Sequence, residues 1–404
     1  MMDSFDETIR DGKVKLRDVQ LWNEAQDGIF PLIEGRYLIS KTSGTTGVPG
    51  TFINDRRSWA MQRGAVVART LRNRLTLRRV SRFAWGQRYR MAFLVADSPF
   101  CVSPQSARTP MRLGKLFTDI RVISIQKRRD EIIADLNSFK PHYLHAYPTF
   151  MQMIAQTRIV GGPVDFDPEV VSFGSEPFTE QARGFLESAF PDSVLRNQYG
   201  TTECLPLGNQ CTQGRMHLNS DYCIVEPMDQ DGLPCPNGEF SDHLLITNLV
   251  NRMQPIIRYR IDDAICLAAE PCPCGSPFPV FQITGRADAS FFVIDEYGRS
   301  TMLPSLSMTL HMLKVEGLLQ YQAVHELQNR IRIDFLPAPG RDGQFVRQQI
   351  EHWFGQLLEF HDSLQTVRLT LRQVQDFDRT ESGKLCPFVS LVDRPPHAEK
   401  RIAG

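Results

Sequence analysis

The feature that most constrains this chain is an alternation of short apolar runs with segments of helical period, continuing for most of its first 285 residues. Apolar runs at Met91–Ala96, Arg121–Ile125, Val170–Phe173, Leu244–Asn248 and Val280–Thr284 read as strands. Between them, Arg57–Arg72, Asp130–Phe139, Thr149–Thr157 and Glu180–Phe190 carry helical patterns. A strand without polar alternation is covered on both faces, so the expected fold is α/β with largely buried sheets.

After about residue 286 the texture changes. Val346, Ile350, Trp353, Phe354, Leu357 and Leu358 form one apolar helical stripe. Ahead of it, Tyr321–Leu327 and Arg330–Phe335 alternate on either side of Gln328-Asn329, which predicts a hairpin. The expected organisation is a large α/β domain over residues 1–285 and a small α+β domain over 286–404, a size typical of one domain.

Lys and Arg together number 46 and Asp and Glu 46, so no overall field draws the molecule to nucleic acid or to an anionic membrane. No apolar stretch approaches the roughly 20 residues of a membrane helix. The acidic start, Met1 to Glu7, lacks the basic and apolar regions of a signal peptide, and the expected location is the cytoplasm. Nine cysteines, an odd number and sparse in 404 residues, are expected to be reduced thiols or metal ligands.

Five segments carry candidate chemistry. Lys41-Thr42-Ser43-Gly44-Thr45-Thr46-Gly47 combines glycines, which let backbone N–H groups converge on one phosphate, with the hydroxyls of Ser43, Thr45 and Thr46. It is not a Walker A loop, because no lysine follows the second glycine. Gln198-Tyr199-Gly200-Thr201-Thr202-Glu203 sets an aromatic face beside hydroxyls and a carboxylate, a set that can stack a base, bond an oxyanion and hold Mg²⁺. Arg258 to Asp263 and Gly285-Arg286-Ala287-Asp288 offer a carboxylate for ribose hydroxyls and a guanidinium for phosphate. Asp378 to Lys384 ends on a lysine able to bridge two anionic groups.

In this order the segments resemble the adenylate-forming superfamily of acyl-CoA synthetases, luciferases and peptide-synthetase adenylation domains, and within it the phenylacetate–coenzyme A ligase-like branch. The resemblance runs from about Ser40 to Lys384. It implies a large N-terminal adenylate-forming domain and a small mobile C-terminal lid that rotates about Asp288. Ser43, Gly44, Thr45, Thr46 and Gly47 would cover the ATP phosphates. Tyr199, with Gly200 and Thr201, would pack against adenine; Thr202 would contact the α-phosphate or the substrate carboxylate; Glu203 would support Mg²⁺. Asp263 would take the ribose hydroxyls and Arg286 would lie near ribose and phosphate. Lys384 would be the catalytic lysine of adenylation. Gly174, Ser175 and Glu176 resemble a strand end near adenine, and Tyr147 and Phe173 stand where the resemblance puts the acyl pocket.

The reaction so implied is ATP-dependent activation of a carboxylic acid, expected to be aromatic, as an acyl-adenylate with release of pyrophosphate. Transfer to coenzyme A or to a carrier-protein thiol would follow. Amide formation, nitrite-type activation without coenzyme A, and a non-catalytic nucleotide-binding regulator are the alternatives. After Asp288 the chain reads Ala289-Ser290-Phe291-Phe292-Val293-Ile294-Asp295, where relatives continue with an acidic residue and a glycine-containing strand used in thiolation. Asp262 likewise stands where relatives prefer glycine. The phosphate loop also begins only about 40 residues in, earlier than in typical relatives.

A second constellation is Cys211, His217, Cys272 and Cys274, two short-spaced pairs far apart in sequence, which suits a tetrahedral structural Zn²⁺. Some members of the resembled family carry such a set. Buried reduced cysteines with a turn at Pro273-Cys274-Gly275 are the alternative, and Cys204, Cys223 and Cys266 stand close enough in sequence to replace one ligand.

Overall fold

The structure is a computed structural model that describes residues 5–10, 14–17, 19, 32–33, 36–41, 50–71, 87–95, 102, 105, 107, 114–176, 178–286, 290–303, 305–312, 314–379 and 385–392. Its centre is a nine-stranded sheet. Five neighbouring strands are parallel, in the spatial order Val194–Tyr199, Val170–Phe173, Tyr143–Ala146, Tyr89–Val95 and Thr118–Ser124. Beyond Val194–Tyr199 the sheet turns antiparallel through Gly208–Gln210, Met216–Leu218, Val280–Arg286 and Asp263–Leu267.

The predicted strands and helices are present, with ends moved by a few residues. Val170–Phe173 and Tyr143–Ala146 are buried throughout, as strands covered on both faces must be. The covering helices include Arg129–Phe139, which buries Ile132, Ile133, Leu136 and Phe139, and Pro148–Ile159, which opens on a proline whose missing N–H costs nothing at that position. The helix Arg56–Thr70 starts where Asp55 Oδ1 accepts from Ser58 N at 2.6 Å, relieving one orphan donor of the first turn.

The mixed α/β class read from the sequence is therefore the observed one. The C-terminal part builds a core of its own, from Phe291 to Phe388. There the hairpin Leu318–Leu327 with Arg330–Pro337 sits inside a four-stranded sheet, flanked by Phe388–Ser390 and Arg368–Gln373. The helix Gly343–Phe360 lays the predicted stripe on this sheet, with Val346, Ile350, Phe354, Leu357 and Leu358 buried and Trp353 partly so. No helix among the described residues is long and apolar enough to cross a membrane.

Candidate active site and metal centre

In a parallel sheet the backbone N–H groups and side chains beyond the strand carboxyl ends are free to meet a ligand, because the connections there leave the sheet. Three adjacent parallel strands end on candidate site residues. Tyr143–Ala146 leads into Tyr147, Val170–Phe173 into Gly174-Ser175-Glu176, and Val194–Tyr199 into Gly200 to Glu203. The last of these is also where the sheet changes from parallel to antiparallel.

Tyr199 Oη donates to Asp263 Oδ2 at 2.6 Å, joining residues 64 apart in sequence. Burial first, then the Asp263 carboxylate and more weakly Glu203, hold the Tyr199 phenol well above its ordinary value, so it remains a donor. Asp263 is paired across the sheet with Arg286, while its neighbour Asp262 takes Arg260 Nε at 3.2 Å. The two adjacent aspartates thus have different partners.

The turn after Tyr199 is tightly closed. Thr201 N donates to Cys204 O at 3.1 Å and Cys204 N to Thr201 Oγ1 at 3.2 Å. Gly200 is needed there because a Cβ would lie 2.0 Å from the Leu205 carbonyl oxygen. Thr202 and Glu203 are half-buried on this turn. Gln62 Oε1 accepts from Leu205 N at 3.3 Å, and Asn248 Nδ2 donates to Glu203 O at 3.0 Å. These two supports were not singled out from the sequence. A lone amide inside a helical or strand pattern carries no signal until the fold shows it buried.

Ser175 has φ 69°, a left-handed conformation unusual for a residue with a Cβ. It swings the chain so that Glu176 points inward and is buried. Glu176 Oε2 accepts from Thr149 Oγ1 at 2.9 Å and from Thr149 N at 3.2 Å, and Oε1 accepts from Leu385 N at 2.9 Å. Arg379 Nη1 lies 3.7 Å from Oε1, donates to Thr149 Oγ1 at 3.0 Å, and its guanidinium sits 4.5 Å above the Phe150 ring. Gln320 Nε2 adds a bond of 2.6 Å to Gln152 Oε1. Thr149, Gln152, Gln320 and Arg379 are further residues that no motif marked with a role.

Tyr147 and Phe173 are buried, Phe173 against Phe178 with ring centroids 4.2 Å apart. His145, on the same strand end, faces Ser172 Oγ at 3.0 Å, and burial lowers its imidazole to about 4. Ser43, Gly44, Thr45, Thr46, Gly47, Asp288 and Lys384 lie outside the described residues, and Arg286 is described in its backbone alone. The strands on either side of the phosphate-loop segment pair antiparallel, with Lys41 opposite Thr51. Asn251 Nδ2 and Gln254 Oε1 hold the second of them at Ile53, each at 2.8 Å.

The Cys/His constellation does assemble. Ligand atoms of Cys211, His217, Cys272 and Cys274 all lie within 4.8 Å of one another. Tetrahedral zinc, with Zn–S near 2.3 Å and Zn–N near 2.0–2.1 Å, separates neighbouring sulfurs by about 3.8 Å and a sulfur from a nitrogen by about 3.5 Å. Here Cys211 and Cys272 Sγ are 3.8 Å apart, and Cys274 Sγ is 3.4 Å from His217 Nε2. His217 Nδ1 faces the Phe278 carbonyl at 2.8 Å, which fixes the tautomer with Nε2 free to ligate. Burial pushes the Cys272 thiol up, but the Cys274 amide and the side chains of His217, Cys274 and Cys211 bring it down to about 7. The donor set and spacing fit a four-coordinate structural ion. Cys204 and Cys223 lie buried in the adjoining core instead.

No protein-family description and no curated protein matches the sequence. Solved structures do. A 2-hydroxyisobutyryl-CoA ligase in its postadenylation state, bound to an acyl-AMP, superposes with a TM-score of 0.64 at 16% identity, covering 97% of this chain and 82% of that one. The chain has the fold of the adenylate-forming ligases. An anthranilate CoA ligase with anthranoyl-AMP gives 0.57 at 12% identity over 86% of this chain and 65% of that one. An amide bond synthetase from Marinactinospora thermotolerans gives 0.54 at 12% identity over 90% and 68%.

Proposed function

We propose that this protein is an AMP-forming ligase that activates a carboxylic acid with ATP. The observation that carries the reading is the Tyr199–Asp263 hydrogen bond of 2.6 Å. It joins two motifs, each read separately as nucleotide-binding, at the carboxyl end of the sheet strand where parallel gives way to antiparallel.

A carboxylate resists attack because its oxygen is a poor leaving group. Attack of that oxygen on the α-phosphate of ATP breaks the bond to pyrophosphate and forms an acyl-adenylate, from which AMP departs readily. The protein's task is to align the two oxygens and to neutralise charge on the phosphate. Tyr199, Gly200 and Thr201 hold the adenine side, with Gly174 and Ser175 at the neighbouring strand end. Asp263 takes the ribose and Thr202 the α-phosphate or the acid. Ser43 to Gly47 cover the outer phosphates; Arg286 and Lys384 supply positive charge. Glu203 would hold Mg²⁺, which would add charge neutralisation at the phosphates. Cys211, His217, Cys272 and Cys274 would hold a structural Zn²⁺, which would tie the chain around Met216–Leu218 to the loop before Val280.

Within the superfamily the reading extends to the phenylacetate–coenzyme A ligase-like branch, an aromatic acid, and coenzyme A or a carrier thiol as acceptor. Tyr147 and Phe173 supply the aromatic lining on the acyl side. The residues 1–285 and 286–404 act as two domains in a reducing, cytoplasmic setting that keeps the cysteine ligands as thiols. Release of pyrophosphate from Mg·ATP is measured across aryl, fatty and amino acids, with and without coenzyme A. One acid is expected to give release. Lys384→Ala is expected to abolish that release while ATP still binds, and unchanged release by this variant would overturn the assignment.

A further inference from the structure

We infer that Glu176 is a positioning residue: its buried carboxylate clamps the C-terminal lobe to the main sheet through Arg379 and Leu385, and so sets where the chain on either side of residues 380–384 stands. This rests on the proposed function, because Lys384 is the residue that immediately precedes Leu385.

Both oxygens of the carboxylate are used, and they are used on opposite sides. Oε2 is held by the first turn of the helix Pro148–Ile159, through the amide and hydroxyl of Thr149. Oε1 faces the C-terminal lobe, where it accepts from Leu385 N at 2.9 Å and lies 3.7 Å from Arg379 Nη1. The side chain of Glu176 is 1% exposed and that of Arg379 20% exposed, so the charge pair is withdrawn from solvent and not screened as a surface pair is. Arg379 is placed from two further directions, by Thr149 Oγ1 at 3.0 Å and by the Phe150 ring. A parallel contact, Gln320 to Gln152, lies on the same helix.

An adenine-contacting residue would keep a polar atom for the base. Glu176 instead spends its acceptors on an anchor (Thr149) and on the two chain positions bracketing the lysine-bearing segment. A displacement of about 1 Å at a reacting group can cost about a hundredfold in rate, so a loose clamp shows in turnover before it shows in nucleotide affinity.

The test uses the full chain. Hydrogen exchange of the 385–392 segment is compared between the wild type and Glu176→Gln, with the unfolding midpoint recorded. Exchange at Leu385 is expected to accelerate at least about tenfold with a cooperative melt retained, and unchanged exchange overturns the clamp whatever the enzyme does. Using Mg·ATP and the acid found in the pyrophosphate panel, kcat for pyrophosphate release is expected to fall about a hundredfold, while mant-ATP affinity changes less than about threefold. Glu176→Asp should recover part of the kcat. Faster exchange with wild-type kcat overturns the positioning role; a matching loss of mant-ATP binding would instead assign Glu176 to the nucleotide.

If Glu176→Gln does not fold, Arg379→Gln probes the same clamp from its less buried partner, and equal exchange in that variant likewise overturns it. Should the wild type release no pyrophosphate with any acid, the proposed function fails, and the exchange comparison alone still decides whether the clamp exists.

Discussion

Gly200→Ala puts one methyl group into the tightest turn of the candidate site. Its Cβ would stand 2.0 Å from the Leu205 carbonyl oxygen and 3.0 Å from its carbon, where ordinary contact begins at 3.4 Å. The obstruction is backbone, so no side chain can swing aside. Thr201 or Leu205 must move by about 1 Å or more, against hydrogen bonds from Thr201 N to Cys204 O and from Leu205 N to Gln62 Oε1.

Overpacking of this kind costs about 1–3 kcal/mol, and each hydrogen bond broken adds about 1 kcal/mol. Because Thr202 and Glu203 ride on the displaced turn, a shift of about 1 Å is expected to lower kcat for pyrophosphate release about a hundredfold. Gly184→Ala, in the helix Glu180–Ala189 and outside the candidate site, is the control, since its Cβ would meet nothing within 4 Å. Thermal unfolding and pyrophosphate release are measured on both variants. A Gly200→Ala protein with wild-type melting and turnover, or a Gly184→Ala protein equally damaged, would refute the steric argument.

Other perturbations have equally definite outcomes. Tyr199→Phe removes a hydrogen bond to a carboxylate, worth about 1.5–3 kcal/mol, and is expected to raise KM for ATP by roughly tenfold or more; an unchanged KM would detach the Tyr199–Asp263 pair from the nucleotide. Ser175→Gly relieves a left-handed backbone, a gain of about 1–2 kcal/mol partly offset by about 0.5–1 kcal/mol of glycine entropy, so urea unfolding should show a small stabilisation. His145 is held at about 4 against an ordinary 6.5, so between those pH values the unfolded chain binds the extra proton and stability falls as pH falls. The loss is about 3 kcal/mol across that window, and His145→Gln should flatten it in urea titrations at pH 7 and pH 4.5. Elemental analysis should find one zinc per chain, retained through gel filtration and lost in Cys272→Ser, with a lower melting midpoint after chelation; metal-free protein of unchanged stability would leave the four residues as reduced thiols.

The local elements of this protein were legible in its sequence because they follow from short-range rules. Fully apolar runs such as Val170–Phe173 can only be strands covered on both faces, and the stripe from Val346 to Leu358 can only be one face of a helix. The clustering of Cys211, His217, Cys272 and Cys274 was legible for a similar reason: few other arrangements use two close pairs of Cys and His. The motif order carried the superfamily fold, which the solved structures share.

What the tertiary structure alone decided is which groups at a distance in sequence meet. Asp263, and not Asp262, reaches Tyr199, because Asp263 opens the strand Asp263–Leu267 in the central sheet while Asp262 lies in the connection before it and takes Arg260. Gln62 and Asn248 support the Glu203 turn from a helix and a strand whose own patterns give no hint of it. Glu176 reads as one more strand-end residue until folding buries it against Thr149, Leu385 and Arg379, the last of them more than 200 positions away. A hydrogen bond has the same strength whatever the chain length between its partners, so sequence separation holds no trace of it. Its existence depends on how the strands are ordered in the sheet and on where the C-terminal lobe comes to rest.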